Sequence, residues 1–200
     1  MRIRTHANPF NCRHRFEKQD WNKIFPDFSG RLDFEVGFGR GIFLQNYAKE
    51  NSDRCIIGVD VRTMTVELLS KKLKEENIAN AYVVYGNGLI CLEDMFKDES
   101  IDNIFVFHPD PWIKKQHLKR RVINSKFLEV AKNKLKKDGK VYISTDVEEL
   151  WLEIADLFAA NEFFVKTSDV DFWQKHYKTR WNEISEEKKR GEFFVTFAKR

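Results

Sequence analysis

A strand that breaks into glycines and restarts at once as a helix constrains this chain more than any other feature. Leu32-Asp33-Phe34-Glu35-Val36 is a short strand-like run, Gly37-Phe38-Gly39-Arg40-Gly41 is a turn, and Ile42, Phe43, Tyr47 and Ala48 follow in a helical pattern. Glycine lets the backbone turn sharply and come close to a ligand, and a helix start offers free N–H groups. In that order the three pieces form the opening unit of a nucleotide- or nucleoside-binding α/β sheet. Alone, the same pattern also serves as a plain tight βα turn.

Two details narrow the ligand. The dinucleotide fingerprint wants glycines at its first, third and sixth places, but here the sixth is Ile42 and the third glycine comes early, at Gly41. Glu35 stands two residues before the first glycine, where a carboxylate would repel a pyrophosphate and pair with an ammonium group. S-adenosylmethionine carries an amino-acid ammonium, a sulfonium and no phosphate. Glu35, Gly37, Gly39 and Gly41 are therefore candidate residues for binding a methyl donor.

The rest of the chain repeats the strand–helix alternation. Cys55 to Asp60 is an apolar run ending in a carboxylate, about twenty residues past the glycine turn, where an acid accepts from both ribose hydroxyls. Asp60 could instead cap the helix Met64 to Glu76, whose Leu68, Leu69 and Leu73 are expected to face inward. Ala81 to Tyr85 is a third strand, and Gly86-Asn87-Gly88 after it is either a turn or the place where Asn87 meets an adenine edge. Ile101 to Phe107 is a fourth strand, running into His108-Pro109-Asp110-Pro111-Trp112. A helix from about Asn124 to Leu135 is expected to end at Gly139, before a fifth strand from Lys140 to Thr145. Asp146 opens a helix Glu148 to Ala160 with core face Leu150, Ile154, Leu157 and Phe158. Glu162 to Lys166 and Glu192 to Ala198 suit a terminal antiparallel pair. The expected fold is a doubly wound, Rossmann-like α/β sheet, mostly parallel with an antiparallel C-terminal strand. Residues 1–30 read as a basic N-terminal arm and residues 31–200 as one domain.

Charge distribution says more than the mild net charge of +4. From Met1 to Phe16 there is no acid, but Arg2, Arg4, Arg13 and Arg15 are present with His6 and His14. Pro111 to Leu128 is again acid-free and holds Lys114, Lys115, Lys119, Arg120, Arg121 and Lys126. Such asymmetry marks either a solvated face or a polyanion-binding surface. The second run begins within four residues of Asp110, which favours nucleic-acid phosphates. Trp112 offers a flat face for a base. No apolar run could span a bilayer, so no membrane association is expected. Cys12, Cys55 and Cys91 are too scattered for a zinc site or a disulfide framework, which suits a reducing cytoplasm and predicts no metal.

Glu35, Asp60, Asn87 and Asp110 all fall at strand carboxyl ends, where ligands of such sheets lie. Phe34 to Gly41, Phe107 to Trp112 with Lys114 and the Lys119-Arg120-Arg121 run, and Ser144-Thr145-Asp146 resemble the tRNA (guanine-N7-)-methyltransferase family. So do Arg4 to Pro9 and Thr179-Arg180-Trp181. The resemblance covers nearly the whole chain and implies a class I methyltransferase fold, S-adenosylmethionine as donor, and tRNA methylated at N7 of a variable-loop guanine. By position it implies that Glu35, Asp60, Asn87 and Asp110 line the donor, with Asp110 also catalytic. Lys114, Asp146, Thr179, Arg180, Trp181 and Asn182 would meet the substrate, and Lys115, Lys119, Arg120 and Arg121 the tRNA phosphates. The chain departs from the family pattern at Asn87, where an acid is usual, at His108, where Phe or Asn is more frequent, and at Asn182, where Glu is usual and Glu183 stands one place on. Asp146 could equally cap its helix. A monomer or homodimer without a required protein partner is expected. Two rivals are a methyltransferase of exocyclic amines and a non-catalytic nucleic-acid-binding module.

Overall fold

The computed structural model describes residues 7–180 and 191–200. Seven strands form one sheet: β1 (Leu32–Val36), β2 (Cys55–Asp60), β3 (Ala81–Tyr85), β4 (Ile101–Phe107), β5 (Leu135–Thr145), β6 (Phe164–Thr167) and β7 (Phe193–Lys199). Their order is β3-β2-β1-β4-β5-β7-β6. The pairs from β3 to β5 are parallel, and β7 runs antiparallel to both β5 and β6. The order reverses between β1 and β4, which leaves a crevice outside their carboxyl ends.

Helices cover both faces because the central strands are apolar on both. In β4, Ile104 and Val106 enter one core, and Phe105 and Phe107 enter the other. The first core takes α1 (Trp21–Ile24), α4 (Gly88–Met95), α5 (Ser125–Lys134) and α6 (Glu148–Ala159). The second takes α2 (Ile42–Glu50), α3 (Thr63–Glu75) and α7 (Val170–Lys175). Phe172 of α7 stacks on Phe105 with ring centres 5.3 Å apart and packs against Tyr142 at 4.1 Å. No described helix is long and apolar enough to cross a membrane.

Three local expectations need correction. Leu68 is 64% exposed, because α3 turns only Leu69 and Leu73 into the core. The helix before β5 ends at Lys134, and Leu135 leaves it extended to pair with Ile101 as a fully buried residue. Gly139 therefore does not end a helix. It lies within β5 at a register shift, and Asp138 takes the left-handed backbone at φ 61°. The helix α4 was not anticipated. Its start, capped by Asn87, looks like a turn in the sequence.

The described part of the N-terminal segment packs along the sheet end. Pro9–Asn11 form a 3-10 turn, the Cys12 thiol donates to the Tyr85 hydroxyl at 3.2 Å, and Arg15 pairs with Asp94. Trp21 and Phe25 then enter the first core.

Candidate active site

A cavity of about 700 Å³ lies at the carboxyl ends of β1, β2 and β4. On the β1 side, Gly37 and Gly39 line it with left-handed backbones, φ 77° and 59°. The Gly37 N–H donates to Val59 O at 2.7 Å, and the Gly39 N–H to Asp60 Oδ2 at 3.0 Å. Gly41 does not line the cavity. It precedes α2 at φ 71°, where a Cβ would come within 2.3 Å of Leu69, so this glycine serves close packing of α3.

Glu35 lines the cavity at 3% exposure, and among the described residues its Oε2 has no hydrogen-bond partner. Burial, helped by the Asp60 charge, pushes its pKa up to about 8. A buried carboxyl left without a partner beside a glycine cradle fits an ammonium group. The donor inferred from the sequence carries one there.

Asp60 is not the cap of α3, which starts beyond it at Thr63. Its Oδ1 accepts from the Arg62 N–H and Nε at 3.0 and 2.8 Å, and its Oδ2 from Arg62 Nη2 at 2.8 Å. A sugar hydroxyl would share this carboxylate with a half-exposed guanidinium, which the sequence reading missed. Asn87 lines the cavity too, but its side chain is engaged elsewhere. Oδ1 caps α4 by accepting from Leu89 and Ile90 N–H, and Nδ2 donates to Pro9 O at 3.1 Å. The expected contact of this side chain with a base edge is thus replaced by a helix cap and a tie to the arm, whose Ala7, Pro9 and Phe10 line the same cavity.

At the β4 end, Asp110 lines the cavity between two prolines, and residues in left-handed backbone flank the turn: His108 at φ 45° and Trp112 at φ 42°. The basic run divides in two here. Arg121 is buried, donates from Nε to Pro111 O at 2.6 Å and pairs with Glu153 of α6. It is an internal brace of the Asp110 turn, and its expected phosphate contact is withdrawn. Arg120 and Lys119 also line the cavity, the Arg120 guanidinium lying 4.9 Å over the Trp112 ring. Lys114 and Lys115 are exposed and lie outside the lining. Thr179 and Arg180 belong to it. Trp181 and Asn182, with Glu183 and the basic residues before Ala7, lie outside the described residues.

Asp146 neither caps α6 nor lines the cavity. Val147 precedes the helix and donates its N–H to Thr145 Oγ1, while the Asp146 side chain is 5% exposed and faces His108 Nδ1 at 3.6 Å. On the other edge of that imidazole, Nε2 lies 3.0 Å from Glu192 Oε1 and 2.9 Å from the Tyr177 hydroxyl. Glu192 and Tyr177 had no signal in the sequence, because they reach His108 only through the pairing of β5 with β7 and the packing of α7.

The comparisons with known proteins agree with this architecture. Residues 30–193 match the family described as "Putative methyltransferase". The chain is 35% identical over 176 residues to the tRNA (guanine-N(7)-)-methyltransferase of Prochlorococcus marinus strain MIT 9215, covering 85% of this chain and 84% of that protein. It is 29% identical over 181 residues to the protein of the same name from Microcystis aeruginosa strain NIES-843, covering 88% and 86%. Its fold is similar to that of the aminoglycoside resistance methyltransferase NpmB1, with a TM-score of 0.59 at 19% identity over 88% of this chain and 91% of that one. By family match and identity together, the chain belongs to the tRNA (guanine-N(7)-)-methyltransferase family.

Proposed function

We propose that this chain transfers a methyl group from S-adenosylmethionine to N7 of a guanine in the variable loop of tRNA, acting in the cytoplasm. The observation that carries the reading is one cavity lined by Glu35, whose Oε2 has no hydrogen-bond partner among the described residues, the carboxylates Asp60 and Asp110, and the cations Lys119 and Arg120. Family membership supports the same activity.

In this reading Glu35 receives the donor's ammonium, Asp60 its ribose, and the Gly37–Gly39 backbone lets the chain approach it. When bound, S-adenosylmethionine supplies an electrophilic methyl group on a sulfonium. Guanine N7 has an in-plane lone pair, so the protein has no proton to remove before transfer. Its tasks are alignment and stabilisation of the positive charge that builds on the purine. Asp110, fixed by its prolines and by Arg121 holding Pro111, would position the guanine and stabilise that charge. Lys119 and Arg120 would hold phosphates, and Thr179 and Arg180 would bound the guanine pocket.

The test uses tritium-labelled S-adenosylmethionine and unmodified bulk tRNA, followed by nucleoside analysis. Labelled 7-methylguanosine is expected, with the single-turnover rate falling about a hundredfold or more in Asp110→Ala while donor binding persists. Label in a methyladenosine would favour the exocyclic-amine reading, and absence of donor binding the non-catalytic one.

A further inference from the structure

His108 sits two residues before Asp110 with its side chain fully buried, and each edge of its imidazole faces a carboxylate. The partners come from three other parts of the fold: Asp146 from the end of β5, Tyr177 from beyond α7, and Glu192 from the approach to β7. The Tyr177 hydroxyl is itself 2.6 Å from Glu192 Oε1 and 2.5 Å from Ser144 Oγ, and the His108 N–H donates to Ser144 O at 2.8 Å. A neutral imidazole has a single N–H and would turn its lone pair toward one of these two carboxylates. An imidazolium can donate to Glu192 and still attract Asp146 across 3.6 Å. Burial pulls the His108 pKa down, but the two carboxylates facing the ring, Asp146 and Glu192, outweigh it, and the net direction is upward. The charged groups lining the adjoining cavity include Glu35, Asp60, Arg62, Asp110 and Arg180.

We propose that His108 is a positioning residue, a buried cation clamped between Asp146 and Glu192 that ties the end of β4, and with it the Asp110 turn, to the ends of β5 and β7. The inference rests on the function proposed above, in which Asp110 must be held against the guanine. Asp146 then acts from behind His108, consistent with its place outside the cavity lining. Loss of the His108 proton removes the charge that draws the ring to the Asp146 and Glu192 carboxylates, and the hold on the Asp110 turn loosens. Methyl transfer therefore falls as pH rises through the His108 pKa, and that fall lies above the ordinary imidazole value of about 6.5.

Two measurements on the full chain test this. In long-range proton–nitrogen NMR spectra, the His108 signals are identified by their loss in His108→Asn, a residue that keeps the left-handed backbone accessible. They are expected to titrate above about 6.5, and lower in Glu192→Gln than in wild type. Single-turnover methyl transfer is expected to show a basic limb at the same midpoint. In His108→Asn that limb disappears and the rate drops about tenfold, while S-adenosylhomocysteine affinity changes by less than about twofold. In Glu192→Gln the limb moves down with the NMR midpoint. A His108 that is neutral at neutral pH, or a limb that persists in His108→Asn, overturns the proposal. A wild-type chain that methylates no guanine in tRNA refutes the functional reading instead, and the NMR titration then decides the charge of His108 on its own.

Discussion

Asp33 and Glu35 lie two residues apart on β1, both almost wholly buried, yet the fold treats them in opposite ways. Asp33 accepts from Arg54 Nε and Nη2 at 2.6 Å each, from the Tyr47 hydroxyl at 3.0 Å and from Asn103 Nδ2 at 2.8 Å. Glu35, one pleat nearer the carboxyl end, keeps an oxygen with no partner among the described residues. A buried carboxylate is stable when its hydrogen-bonding capacity is met, and costly otherwise. The fold thus completes the acid at the start of β1 and, in the function proposed above, leaves the one beside the glycine turn to a ligand. Arg121 and Lys119 repeat the contrast with the sign reversed: the arginine is buried on Pro111 O and Glu153, while the lysine stands at the cavity edge.

The sharpest way to break this comparison is to remove each acid in turn. Asp33→Ala strands the Arg54 charge inside the protein and is expected to lower unfolding stability by about 3–5 kcal/mol, read by denaturant titration. Glu35→Gln should cost far less and should improve stability at alkaline pH. The sign follows from its raised pKa of about 8. Between the ordinary carboxyl range and that value, the folded chain holds a proton that the unfolded chain has lost, so wild-type stability falls as pH rises through the window. Glu35→Gln should flatten that fall; an equal slope in both proteins would mean that Glu35 is already ionised and satisfied.

The cationic pair gives smaller effects. Arg121→Leu removes the brace on Pro111 and should lower the single-turnover rate about tenfold or more, with the salt dependence of tRNA binding unchanged. Lys119→Ala should leave that rate near wild type and reduce the slope of log affinity against log salt by about one. A change of slope in Arg121→Leu, with none in Lys119→Ala, would reverse the assignment.

The glycine-turn side of the cavity was legible in the sequence because its parts are local. The strand–glycine–helix pattern and the acid two residues before its first glycine are fixed by spacing within ten residues, and the doubly wound, mostly parallel sheet follows from the alternation of elements. What the sequence concealed depends on distant chain. Gly86-Asn87-Gly88 reads as a turn until α4 is seen to begin on it, and Arg121 looks like one more surface cation until α6 brings Glu153 to it. Asp146 looks like a helix cap until it is seen to face the His108 ring, with Glu192 on the ring's other edge. Leu135 reads as a helix end because nothing local shows that it pairs with Ile101.

The central claim is that Glu35 is held in reserve for a cationic group. Calorimetry of S-adenosylhomocysteine binding near neutral pH, in two buffers of different ionisation enthalpy, tests it directly, since this product keeps the amino-acid ammonium. Wild type should release about one proton per ligand bound as Glu35 ionises against that ammonium. Glu35→Gln should release none and bind about thirtyfold more weakly, some 2 kcal/mol. Equal affinity in the two proteins, with no proton released by wild type, would contradict the account.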